Sequence, residues 1–261
     1  MIAPTLWLLT VLLLSAPPLV AGERVLRVPR EQALAIADKI YRNECGGRVD
    51  KLISWNGGEA CLSLGIGHFI WYPPSANEHF EERFRQFLAF CQERRRVVPT
   101  WLEARPACPW TSREAFLQEG ESTRLQELRQ FLLETRDLQT LFMAQRLEEA
   151  LPKICLASDH PDKVSEQFWR VAGAPQGVYV LMDYVNFKGE GVSLSERYAG
   201  QGWGLLQVLN AMETTQEPIQ DFVNSAKNVL ARRVANAPQG KDEKKWLAGW
   251  YNRIDTYLKR N

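Results

Sequence analysis

The chain has 261 residues, 45% of them apolar and 24% charged, which suits one large domain or two intimately packed ones. Its 32 basic and 31 acidic side chains nearly cancel, so it lacks the cationic excess that binds nucleic acid or an anionic membrane surface. Cys45, Cys61, Cys91, Cys108 and Cys155 have no zinc-type spacing, and no phosphate loop or Gly-x-Ser-x-Gly elbow occurs, so neither a metal nor a cofactor is expected.

Residues 1–22 read as a targeting segment: Leu6 to Leu14 is apolar, Pro17-Pro18 breaks the run, and Ala21-Gly22 offers a small-residue cleavage site. The run is too short for a comfortable bilayer span, so the expectation is an exported chain, periplasmic or secreted, without stable membrane insertion. The remainder, 23–261, is read as a single domain.

A helix is predicted from Glu31 to Glu44, with Leu34, Ala37, Tyr41 and Glu44 on one stripe and Gly46-Gly47 ending it. Glu44 then lies in the last turn, where the helix dipole and partial burial disfavour a carboxylate. It is expected to hold its proton towards neutral pH, as a general acid must. A hairpin follows. Leu52 to Trp55 is a short apolar run, Asn56-Gly57-Gly58 is strong turn chemistry, and Ala60 to Tyr72 reads as one strand. Period two puts Leu62, Leu64, Ile66, His68 and Ile70 on one face, and Cys61, Ser63, Gly65 and Gly67 on the other with Glu59 at the turn. His68 is thereby read as a hydrogen-bonded structural histidine. Cys45 and Cys61 share this region and read as two buried thiols or as a bridge.

Beyond a Pro73-Pro74 turn, a helix over Glu78 to Glu93 carries Phe80, Phe84, Phe87 and Leu88 on its apolar face, and Arg94-Arg95-Arg96 reads as its solvated end. Val97 to Pro109 reads as an irregular connection. Thr111-Ser112-Arg113-Glu114 reads as a capping box opening a helix that stops near Gly120. Leu125 to Leu133 and Leu138 to Leu151 are amphipathic, and Asp159-His160-Pro161 opens a helix reaching Gly173. Pro175 to Phe187 is apolar nearly all round and is predicted to be the buried central helix. It runs into a polar, glycine-rich stretch. Gly200 to Gly204 precede a helix through Met212, and two more helices run over Ile219 to Ala235 and Glu243 to Lys259. In the last, Trp246, Trp250, Ile254 and Tyr257 recur at helical spacing, as core or as a lid. The fold class is α+β, mainly α, with one small sheet.

Two stretches carry a family likeness. Ser63-Leu64-Gly65-Ile66-Gly67-His68 looks like the hairpin of phage-type muramidases, whose acid glutamate ends the preceding helix. Asn43-Glu44-Cys45-Gly46-Gly47 is similar to the Glu-Ser-Gly-Gly opening of goose-type lysozymes and lytic transglycosylases, with Cys for Ser. Residues 36 to 72 thus resemble the lysozyme-like superfamily, which implies that fold with an enlarged helical lobe. The hairpin departs from the phage-type pattern, having Glu59 and no aspartate. Gly204-Leu205-Leu206-Gln207 resembles the transglycosylase Gly-Leu-Met-Gln, but stands too late in the chain to be its equivalent.

Glycosidic cleavage needs a protonated carboxyl at the leaving oxygen and usually a second carboxylate across the bond. Glu44 suits the first role and Glu59 the second, with Ser63 helping to hold the attacking water. Tyr184, Asn186, Lys188 and Glu190 read as a cluster that lines a sugar groove or else caps a loop. Trp203, flanked by glycines, reads as an exposed sugar-stacking ring. Three activities follow: a muramidase-type hydrolase of peptidoglycan or a related polysaccharide, a lytic transglycosylase, or a glycan-binding protein that keeps the fold without the reaction. Product chemistry separates them.

Overall fold

A computed structural model describes residues 24–74, 76, 81–104 and 107–259. The targeting segment and Phe80 lie outside the described residues. Helix α1 (Arg30–Cys45) buries Ala33, Ile36, Ala37, Ile40 and Tyr41, whereas Leu34 is 43% exposed. The buried stripe is thus centred elsewhere than predicted, because Ala33, Ile36, Ala37 and Ile40 form a denser i, i+3, i+4, i+7 set than the one through Leu34. Glu44 consequently sits at the edge of the buried face. Gly46, with φ of +59°, ends the helix, and the amides of Gly46 and Gly47 donate to the carbonyls of Arg42 and Tyr41.

A 3-10 turn (Val49–Leu52) leads into a three-stranded antiparallel sheet of β1 (Ile53–Ser54), β2 (Leu62–Leu64) and β3 (Phe69–Trp71), in that order. The strand predicted over Ala60 to Tyr72 is therefore two strands, folded back at residues 65–68. Helix α6 (Arg136–Leu156) fixes that turn: Gln139, wholly buried, accepts the Ile66 amide at 2.8 Å and donates to the Leu132 carbonyl at 2.6 Å. Gly65 has φ of +71°, and a Cβ on it would meet the Gln139 Oε1 at 2.2 Å. The turn resets the alternation. Leu62 pairs with Trp71 and Leu64 with Phe69 towards the core, while Ser63 pairs with Ile70 on the opposite face.

Helix α2 (Arg83–Glu93) packs Phe84 and Phe87 against Trp71 and Phe69. The connection read as irregular contains a short helix, α3 (Thr100–Ala104). Helix α4 (Arg113–Gln118) is capped by Ser112, whose Oγ accepts the Ala115 amide at 3.2 Å, one residue later than the predicted box. Helices α5 (Thr123–Glu134) and α6 lead to α7 (Pro161–Gly173), with Pro161 at its first turn. Helix α8 (Gly177–Lys188) is the central one: each residue from Gly177 to Tyr184 is buried, among α6, α7 and α9 (Leu205–Ala211). A two-stranded hairpin, β4 (Arg197–Tyr198) with β5 (Gln201–Gly202), precedes α9. Helix α10 (Pro218–Ala235) and α11 (Lys244–Asp255), with its 3-10 extension Thr256–Leu258, complete the described chain. Ile254 and Tyr257 reach the core, but Trp246 is 57% exposed and lies outside it.

The protein is mainly helical with a small antiparallel sheet. All five cysteines are free thiols. Among the described residues no helix is long and apolar enough to cross a membrane.

Candidate active site

Three elements converge on Glu44. It lies in the last turn of α1 with its side chain 13% exposed. His68 Nε2 bonds one carboxylate oxygen at 2.9 Å. The other accepts from the Arg253 guanidinium on α11 and from Asn186 Nδ2 on α8 at 3.3 Å. Burial pushes the Glu44 carboxyl up, but the His68 bond and the Arg253 charge together outweigh it and hold it at about 2. This corrects the reading of a proton held towards neutral pH. The helix dipole and burial disfavour the anion, yet a guanidinium at contact distance favours it more.

Arg253 is shared. Its Nε and Nη2 donate at 2.9 Å to the two oxygens of Asp183, which is wholly buried in α8. Asp183 also accepts Tyr257 OH at 2.6 Å and, weakly, Asn43 Nδ2 at 3.5 Å. Burial lowers the Arg253 affinity for its proton, but Asp183 and Glu44 raise it well above the usual range, so the cation is permanent. The guanidinium carbon lies 4.4 Å from the centre of the Phe187 ring.

His68 departs most from its predicted place. Its side chain is 42% exposed, and its Nδ1 bonds Ser63 Oγ at 2.9 Å, so one imidazole joins Ser63 to Glu44. It sits in the turn between β2 and β3 with φ of +48°, a left-handed conformation uncommon outside glycine. The alternation that assigned it to the apolar face assumes an unbroken strand.

Two concavities meet at His68 and Ile70. A cleft of about 390 Å³ lies between the sheet turn and helices α6 and α8, and Asn186, Arg146, Arg83 and Glu190 are on its wall. A depression of about 470 Å³ on the other side holds Ser63, Glu59, Asn56 and Tyr72. His68 therefore joins the cleft that holds Asn186 to the depression that holds Ser63 and Glu59; Glu44 lines neither and is tied to both through its bond to His68. Glu59 is exposed at the β1–β2 turn, where Asn56 Nδ2 donates to both its oxygens at 3.2 Å.

Three predicted groove residues lie elsewhere. Tyr184 is fully buried and donates to the Trp203 carbonyl at 2.8 Å; burial pushes its phenol far up. Trp203 is only 8% exposed, with Tyr198 against it and the Arg233 guanidinium 4.0 Å from its ring centre. Its neighbouring glycine serves close packing rather than exposure: a Cβ on Gly204 would lie 2.2 Å from the Gly191 nitrogen. Lys188 is likewise buried, between the rings of Phe187 and Trp250 at 4.1 and 3.5 Å, and burial with the nearby Arg233 lowers it to about 7.

Sequence reasoning missed Asp183, Arg253 and the two cleft arginines. Asp183 had a signal, being the lone acid in an otherwise apolar helix, and a buried acid demands partners. Arg253 had none within its own segment. Among the described residues, no three His, Cys, Asp or Glu side chains group as a metal would need. No family model, no curated protein and no solved structure matches this chain.

Proposed function

We propose that this chain is a lysozyme-like glycoside hydrolase that cleaves peptidoglycan, with Glu44 as the carboxyl at the scissile bond. The observation that carries the reading is a largely buried carboxylate, Glu44, bonded to the histidine at which two concavities meet, with Ser63 and a second carboxylate, Glu59, lining one of them. Without substrate Glu44 is ionised. A glycosidic oxygen that reaches its carboxyl displaces the His68 nitrogen and excludes water. Both changes favour the neutral acid, so the carboxyl takes up a proton as the glycan binds. It then gives that proton to the leaving sugar oxygen as the glycosidic bond breaks. A water held by Ser63 and Glu59 attacks the anomeric carbon and yields its proton to Glu59. Export to the wall, by way of the apolar leader, belongs to the same reading.

Mass spectrometry of fragments released from purified peptidoglycan tests it. Reducing-end muropeptides are the expected products. Anhydro ends assign the lytic transglycosylase reaction, in which Glu44 performs both proton transfers alone; the tether of Glu59 to Asn56 favours that second reading. Wall binding without fragments leaves the glycan-binding alternative.

The charge-state argument has its own check. In His68→Ala the Glu44 carboxyl loses a hydrogen bond that lowers it and is expected to titrate above its parent value of about 2. Carboxyl-carbon NMR reads the midpoint, and an unchanged one would remove His68 from control of this acid.

A further inference from the structure

The cleft beside Glu44 contains a cation that the reaction does not use. Arg146, on α6, is mostly buried, and its Nε is sealed from solvent with no hydrogen-bond partner. Among the described residues it forms no ion pair within 4.0 Å. The other charges on that wall are Arg83, Glu81 and Glu190. Arg83 is paired with Glu81, so Glu190 is the remaining anion, outside contact with Arg146. Burial, and the like charge of Arg83, depress the Arg146 guanidinium to about 10. Such a group destabilises the fold, and a well-packed apolar side chain would serve α6 better. Glu81, Glu190 and Glu149 act on it only from beyond 4.0 Å, which leaves the guanidinium open to an anionic partner from outside.

We propose that Arg146 is a specificity residue that binds a carboxylate carried by the glycan, so that the cleft selects acidic sugars over neutral ones. The subsite adjoins the reacting bond, because His68 and Asn186 both bond Glu44 and line the cleft that Arg146 lines. The planar guanidinium fork suits a carboxylate, and Met143 and Met182 beside it offer apolar surface to the sugar face. In peptidoglycan the carboxylates are those of the stem peptides and of lactyl groups that carry no peptide, so this assignment rests on the proposed function and narrows its substrate class.

Two sugars that differ by the lactyl group test it without any cleavage. N-Acetylmuramic acid and N-acetylglucosamine are titrated into the full chain while the Arg146 Nε–H resonance is followed by NMR. The acid is expected to move that resonance and bind at least tenfold more tightly than the neutral sugar, and Arg146→Gln to abolish the difference. Arg146→Met serves as the folding control. It is expected to melt higher than the parent while losing acid selectivity, a combination that a purely structural arginine does not produce. Equal affinity for the two sugars, or selectivity that survives in both variants, overturns the proposal. Selective binding in a protein that releases no wall fragments leaves the subsite standing and removes the hydrolase reading instead.

Discussion

Replacing Glu44 by Gln is expected to lower turnover on peptidoglycan by at least about two decades and to destabilise the fold at neutral pH. The first effect follows from the role: glutamine has no proton to give a leaving oxygen. The second follows from the charges around it. The carboxyl is depressed from 4.5 to about 2, so its stabilising contribution is fully present above 4.5 and disappears as pH falls through about 2. The size of the shift bounds that contribution at about 3 kcal/mol. Glutamine removes the anion that faces Arg253 and His68, although Asp183 still holds the guanidinium. The parent and variant melting temperatures should therefore differ at pH 7 and converge near pH 2. Equal melting at pH 7 would mean that the Glu44 pairs contribute nothing. A folded variant with near-parent turnover would remove Glu44 from the chemistry.

Asp183→Ala is expected to be the most damaging single change to stability. The substitution leaves a guanidinium and the buried Tyr257 hydroxyl without their shared acceptor, at a position wholly buried in α8. Removing one partner of a buried pair costs about 3–5 kcal/mol. Because Arg253 and Tyr257 attach α11 and its 3-10 extension to the centre, the loss should appear there first, as faster amide exchange across residues 244–258. Denaturant unfolding gives the global figure. A midpoint like that of the parent would show that α11 is held by its apolar contacts alone.

What could be read from the chain beforehand was the local part. An all-round apolar segment gave the central helix α8, the glycine pair gave the end of α1, and Pro161 gave the start of α7. The placement of Glu44 at a helix end and of Ser63 on the small-residue face was legible because helix-end and turn chemistry locate them. The charge state of Glu44 was not, since its controlling cation comes from α11. The face of His68 failed for a related reason: the strand is broken at Gly65, whose positive φ makes the turn, and a buried glutamine on α6, distant in sequence, fixes it there. Tyr184 was a recoverable error. It and Asn186 stand two apart on one helix, which turns their side chains about 200° apart, so a groove lined by one excludes the other.

The pairing of Glu44 with Arg253 spans 209 residues of chain. During synthesis the first half emerges with this acid in place at the end of α1 but without the cation that holds it ionised. Until residue 253 arrives, burial acts on the carboxyl with only the hydrogen bonds of His68 and Asn186 to oppose it, and Asp183 in α8 likewise has no cation. The assembly of the site is therefore a late event with a high sequence separation, and closing it carries the corresponding loop entropy. A chain cut short before α11 would keep every residue read here as reactive, yet would leave two acids in its interior that favour opening over closure.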